Sequence, residues 1–207
     1  MAPLLVKSRK GIVIGWLLVL VVAIGALFWY NEWKYSLPTP VPATYKLVHT
    51  NEHIEVVRKL KADPNKPVFL HFFNPDCPCS RFNLPHFREL VKTYGDRVTF
   101  VAVPMIMLGQ QYTDEQLRER IGVDIPIWRE PGVADAVGVY STPQAVVINA
   151  SNDLYYRGNY NKSRYCTDKR SNYAEMAIVS LLNNSPIPDF DPLALRAYGC
   201  TIEGCMK

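Results

Sequence analysis

The run Gly11–Tyr30, G-I-V-I-G-W-L-L-V-L-V-V-A-I-G-A-L-F-W-Y, leaves this chain fewer options than any other stretch. It carries no charged side chain and has the ~20 residues that a helix needs to cross a bilayer. Trp16 stands near one end and Phe28, Trp29, Tyr30 and Trp33 at the other, the amphipathic rings that settle at membrane interfaces. Lys7, Arg9 and Lys10 precede the run, whereas Glu32 and Lys34 follow it and nearly cancel. Because basic flanks stay cytoplasmic, the N-terminus is predicted inside and everything after Trp33 outside. The rival is a cleaved signal peptide, with Ile24-Gly25-Ala26 as its weak cleavage site, but the apolar run outlasts a usual signal core. An uncleaved single-pass anchor in the inner or cell membrane is therefore expected. Either way the remaining chain faces an oxidising, periplasm-like space in which disulfides persist.

The basic excess belongs to this terminus. Four of the 23 basic residues and one of the 19 acidic ones lie before residue 35, so the rest is nearly neutral. Charge therefore gives no argument for a nucleic-acid partner.

Composition and punctuation divide the chain into four parts. Residues 1–34 are the cytoplasmic end and anchor, and 35–45 a proline-rich linker that acts as a semi-rigid spacer. Residues 46–184 form the domain, and 185–207 a tail with Cys200 and Cys205. Within the domain, Thr50 is predicted to cap a helix over Asn51–Ala62 with Ile54, Val57 and Leu60 on one face. Pro67–Phe73 and Val98–Val103 read as buried strands. Residues 104–131 are a long insertion holding a capping box, Thr113 to Gln116, that opens a short helix to about Ile121. A helical turn from Val133, a break at Gly138, and Thr142-Pro143 leading into a strand follow. Leu154–Asn159 is its hairpin partner, and Ser171–Leu182 is a final amphipathic helix. This order predicts an α/β domain with a mixed central sheet flanked by helices.

The chemistry concentrates in Lys66–Leu90. A strand ends at Asn74-Pro75, then come Asp76, Cys77, Pro78 and Cys79, then helical spacing through Phe82, Phe87, Leu90, Val91 and Tyr94. A helix N-terminus offers unpaired N–H groups and partial positive charge, both of which favour a thiolate. Arg81 adds to that effect and Asp76 opposes it. Ser80 is placed to donate to a thiolate, or more simply to bond backbone. His71 alternates with apolar neighbours as a core histidine would, and His86 is read as a solvated surface histidine. Cys166 has no evident partner in the sequence.

Lys66–Leu182 resembles the thioredoxin-like (redoxin) superfamily. The strand–cysteine–helix unit carries the resemblance, together with Pro85 eight residues after Cys77 and the segment V-G-V-Y-S-T-P, which looks like the one bearing the family's cis-proline. Leu154–Gly158 and Gly199–Ile202 are similar to segments of membrane-anchored or secreted redoxins. The resemblance implies a thioredoxin-like fold, Cys77 as nucleophile and Pro143 as the cis-proline, with the Thr142 backbone placed to pair with a substrate strand. It also implies a resolving cysteine at residue 80, where this chain has Ser80 and, one residue early, Cys79. A Cys77–Cys79 bridge would strain disulfide geometry, since side chains two apart on a helix diverge. Cys200 or Cys205 are the other possible resolving thiols, unless those two close a small loop together.

The implied activity is thiol–disulfide exchange with protein substrates or a membrane redox partner, without a cofactor or resident metal. Three other readings compete. Peroxiredoxin chemistry lacks its proline and threonine, the corresponding positions being Leu70 and Asn74. A non-catalytic interaction subunit fits the missing thiol at Ser80. Two thiols with His71 or His86 would suit Cu(I), but the wider cysteine spacing of copper-delivery members has no match here.

Overall fold

A computed structural model describes residues 2–107, 109–163 and 165–201. The chain divides into two compact units, Met1–Leu37 and Pro38–Lys207. The first is one helix, α1 (Ala2–Ser36), in which Arg9–Lys34 holds an 18-residue window of mean hydropathy 2.8 and is long and apolar enough to cross a membrane.

The second unit is built outward from β1 (Val68–Phe73). Its sequence, V-F-L-H-F-F, opens on a β-branched residue and is rich in aromatics, and all six residues are buried. Burial on both faces explains why the run is apolar without alternation. β1 pairs in parallel with β2 (Thr99–Pro104) and antiparallel with β4 (Gln144–Ile148), which pairs antiparallel with β5 (Leu154–Gly158). The sheet order is β2-β1-β4-β5. With helices on both faces, this mixed sheet is a thioredoxin-like fold.

Alternation along β1 assigns the two sides. Phe69 and Phe73 pack with Phe87 and Leu90 of α2 (Pro78–Tyr94) and with Ala174 and Ile178 of α5 (Tyr173–Leu182). Val68, Leu70 and Phe72 face Ile54, Val57, Trp128 and α4 (Val133–Val137). Within the insertion, α3 (Asp114–Ile121) begins with the capping box that Thr113 and Gln116 predict, both reciprocal bonds being present. The tail adds α6 (Pro192–Leu195), whose Ala194 lies in the α2–α5 core, and β6 (Cys200–Thr201). β6 pairs antiparallel with β3 (Ser141–Thr142).

Two expectations are corrected. The helix over Asn51–Ala62 is reduced to a 3-10 segment, Glu55–Lys59. Asn51 takes a φ of 67°, and the N–H groups of Asn51 and Ile54 donate to the carbonyls of Leu154 and Asn152. Those edge bonds to the β4–β5 hairpin replace the helical ones, while Ile54 and Val57 stay buried as their spacing requires. On α2, Phe82 is 43% exposed, whereas Asn83, Leu84 and His86 are buried. Phe87, Leu90 and Tyr94 face inward as their spacing predicts, Val91 packs at the edge of that core, and Phe82 turns outward. His86 packs against Tyr160, ring centroids 6.0 Å apart, and is not a surface histidine.

Candidate functional site

The turn before α2 is fixed by its own side chains. Asn74 Oδ1 accepts from the Asp76 N–H at 2.9 Å, and the Ser80 hydroxyl accepts from the Asn74 N–H at 3.1 Å. Cys77 follows as the N-cap residue, and Pro78 takes the first helical turn, where a missing N–H costs no bond. The insertion braces the turn from outside. Arg120 donates to the Pro75 carbonyl at 3.0 Å and lies over the Tyr112 ring, while the Tyr112 hydroxyl donates to Asp76 at 2.7 Å.

The tail completes the site. Cys200 of β6 is disulfide-bonded to Cys77 across 123 positions of sequence, with their Cα atoms 6.8 Å apart. Cys77 therefore pairs with neither Cys79 nor a cysteine near it in the chain, and Cys200 is not in a loop with Cys205, which lies outside the described residues. Cys77, as the N-cap residue, lies outside the helix proper and its sulfur is taken by Cys200, while Cys79 in the first turn of α2 keeps its thiol, although its sulfur lies within 4.8 Å of both others. All three cysteines are buried, Cys77 completely and Cys200 at 8% exposure.

Backbone contacts hold Cys200 in place. Thr142, which pairs with it, precedes Pro143 through a cis peptide bond. Gly199 has a φ of 140°, and a Cβ there would collide with the Thr142 carbonyl oxygen, so only glycine allows this approach. Thr39 donates its N–H to the Ala197 carbonyl at 2.9 Å and its hydroxyl to the Gly199 carbonyl at 3.3 Å. Asn159 Nδ2 donates to the Leu193 and Arg196 carbonyls, each at 2.7 Å. Sequence reasoning missed Thr39, Asn159, Tyr112 and Arg120. Their partners are far away in the chain, and only the glycine before Cys200 gave a signal.

Other titratable groups nearby are quieter. His71 stacks on Phe73 and Phe87, and its Nδ1 is 2.6 Å from the Tyr160 hydroxyl. Complete burial pushes its pKa down to about 3, so it stays neutral. Burial also lowers His86, against the opposing fields of Glu175 and Glu89. The Cys166 thiol donates to Asn83 Oδ1 at 2.9 Å, and burial pushes its pKa up to about 12.

Residues 46–201 match the family model described as Domain of unknown function (DUF6436). The chain belongs to this family. The DUF6436 match takes in Cys77, Cys79, Cys166 and Cys200. No curated protein matches the chain. Among solved structures, an uncharacterized conserved protein from Geobacillus kaustophilus is similar at a TM-score of 0.60 and 18% identity, covering 80% of this chain and 98% of that one. A hypothetical protein from Sinorhizobium meliloti 1021 is similar at 0.57 and 15% identity, covering 80% and 95%. A thioredoxin family thiol:disulfide interchange protein from Chlorobium tepidum TLS, 20% identical, gives a lower score of 0.43 over 70% and 97%. At such identities the likeness concerns fold, and the chemistry of the DUF6436 site rests on its own residues.

Proposed function

We propose that the chain is a membrane-anchored, extracytoplasmic thiol–disulfide oxidoreductase whose redox couple is Cys77–Cys200. The observation that carries this reading is the disulfide itself, formed at the N-terminus of α2 by a strand that lies along β3 beside Pro143. The helix end stabilises the Cys77 thiolate released when the bond opens. Lys7, Arg9 and Lys10, ahead of the uncharged run Gly11–Tyr30 in α1, support a cytoplasmic N-terminus and a periplasmic domain.

In the oxidising direction a substrate thiolate attacks the Cys77 sulfur. The Cys77–Cys200 bond breaks, a Cys77–substrate mixed disulfide forms, and Cys200 leaves as a thiolate. A second substrate thiolate then attacks the substrate sulfur of that mixed disulfide, leaving the substrate oxidised and Cys77 and Cys200 reduced. Two electrons pass to the couple, and the reverse sequence reduces a substrate disulfide. Because Cys77 is fully buried beneath the tail, β6 leaves β3 for attack to occur. The vacated β3 edge then accepts an extended substrate segment by strand addition. Cys79 stands close enough to capture either sulfur of the couple.

The burial of Cys77 and Cys200 also favours a second reading, a structural disulfide in a thioredoxin-like interaction module. Redox titration separates the two. A couple between roughly −270 and −120 mV supports exchange, while one below about −300 mV fits a structural bond. Cys77→Ser is expected to abolish turnover of a dithiol or disulfide substrate while the domain stays folded. Unchanged turnover would overturn the assignment.

A further inference from the structure

The same corner of the molecule has the donor set of a soft-metal centre. Among the described residues, the sulfurs of Cys77, Cys79 and Cys200 form a group within 4.8 Å of one another, and all three residues are buried. Cys77 and Cys79 come from the N-cap and first turn of α2 and Cys200 from β6, so the group is held by two separately anchored elements. Neither histidine considered from the sequence belongs to it: His71 Nδ1 is engaged by Tyr160, and His86 packs against the Tyr160 ring.

We propose that the reduced chain binds one Cu(I) ion between Cys77, Cys79 and Cys200, making metal and disulfide alternative states of one sulfur cluster. Thiolate sulfur selects soft cations, and three ligands without a fourth suit Cu(I) better than structural zinc, which takes four. Metal–sulfur bonds of about 2.3 Å in a trigonal plane set sulfurs about 4 Å apart. Sulfurs already gathered inside 4.8 Å need little movement once the S–S bond opens. The N-terminal end of the 17-residue α2 offsets part of the negative charge that the thiolates bring into a buried site.

The steps balance. An external dithiol reductant breaks the Cys77–Cys200 bond and becomes a disulfide, its two protons ending on Cys77 and Cys200. Cu(I) then replaces thiol protons, which pass to water, and copper keeps its oxidation state. An incoming disulfide that re-forms Cys77–Cys200 removes two of the three ligands and expels the ion. The inference requires that the bond can be opened, not that it turns over with a substrate.

The test uses the full chain in detergent, reduced, freed of reductant without oxygen, and titrated with Cu(I) against a chelator of known affinity. One Cu(I) per reduced chain is expected, none on the oxidised chain, and X-ray absorption is expected to show three sulfur neighbours. Cys79→Ser is expected to weaken binding by more than the roughly 10–100-fold that outer-shell changes cost. A mass map showing Cys77–Cys200 intact in that variant verifies its fold. Equal binding by the oxidised chain, a nitrogen or oxygen ligand, displacement by equimolar Zn(II), or wild-type affinity in Cys79→Ser would each overturn the proposal. The wild-type arms stand even where the variant does not fold. Redox titration of the metal-free chain tests the exchange reading separately, so a chain that cycles without holding copper sinks only the copper site.

Discussion

Cys77 is fully buried and Cys166 half-buried, yet they occupy opposite chemical settings. Cys77 sits where a long helix begins, with its sulfur joined to a tail strand and another thiol close by. Cys166 sits in a loop at a φ of 52°, bonded to Asn83 and surrounded by apolar groups. The difference shows that burial alone does not fix a thiol's chemistry. What matters is whether the backbone around it offers positive potential and a second sulfur.

The largest effect that tests this contrast is on exchange activity. Cys77→Ser and Cys200→Ser are each expected to lower turnover by on the order of 10³-fold or more, while Cys166→Ala leaves it near wild type. Equal losses at all three positions would erase the contrast. Stability comes next. Opening a loop of this length by reduction is expected to cost about 4–5 kcal/mol in urea unfolding, well beyond the effect of Cys166→Ala.

A smaller effect concerns the strand that delivers Cys200. Gly199→Ala places a methyl group against the Thr142 carbonyl and is expected to destabilise the oxidised domain by about 1–3 kcal/mol. The disulfide should become easier to reduce by a matching amount, and an unchanged potential would show that β6 does not hold the couple. The last is a pH effect outside both thiols, spread over several pH units. The folded state keeps His71 neutral down to about 3, whereas an unfolded histidine gains a proton near 6.5. Stability is therefore full above about pH 6.5, falls as pH drops toward 3 by up to about 1.4 kcal/mol per unit, and levels off below. His71→Leu is expected to flatten that slope, measured by urea midpoints across pH 4–8.

How much of this was readable follows from the range over which each signal acts. β1, the capping box at Thr113 and Gln116, the Gly138 break and the mixed sheet are set by short windows, and the sequence shows them. The helix expected after Thr50 failed because its backbone found partners about 100 residues away, on the β4–β5 hairpin. On α2 the spacing of Phe87, Leu90 and Tyr94 marks the inward face, but at its start Phe82 turns outward while polar Asn83 and His86 are buried, which residue type alone does not indicate. For the partner of Cys77, the sequence offers Cys79, Cys200 and Cys205 without choosing among them, and the structure takes Cys200. That pairing depends on Thr39, Asn159 and Gly199 placing the tail, and no local pattern encodes those contacts.

The 123-residue gap between Cys77 and Cys200 also sets an order of events during biosynthesis. At the usual 5–20 residues per second, Cys77 emerges roughly 6–25 s before its partner. Through that interval the chain can offer it only Cys79, two residues on, and later Cys166. The Cys77–Cys200 bond can therefore close only once the last strand has arrived, and until then Cys79 is the thiol nearest to Cys77 in the chain.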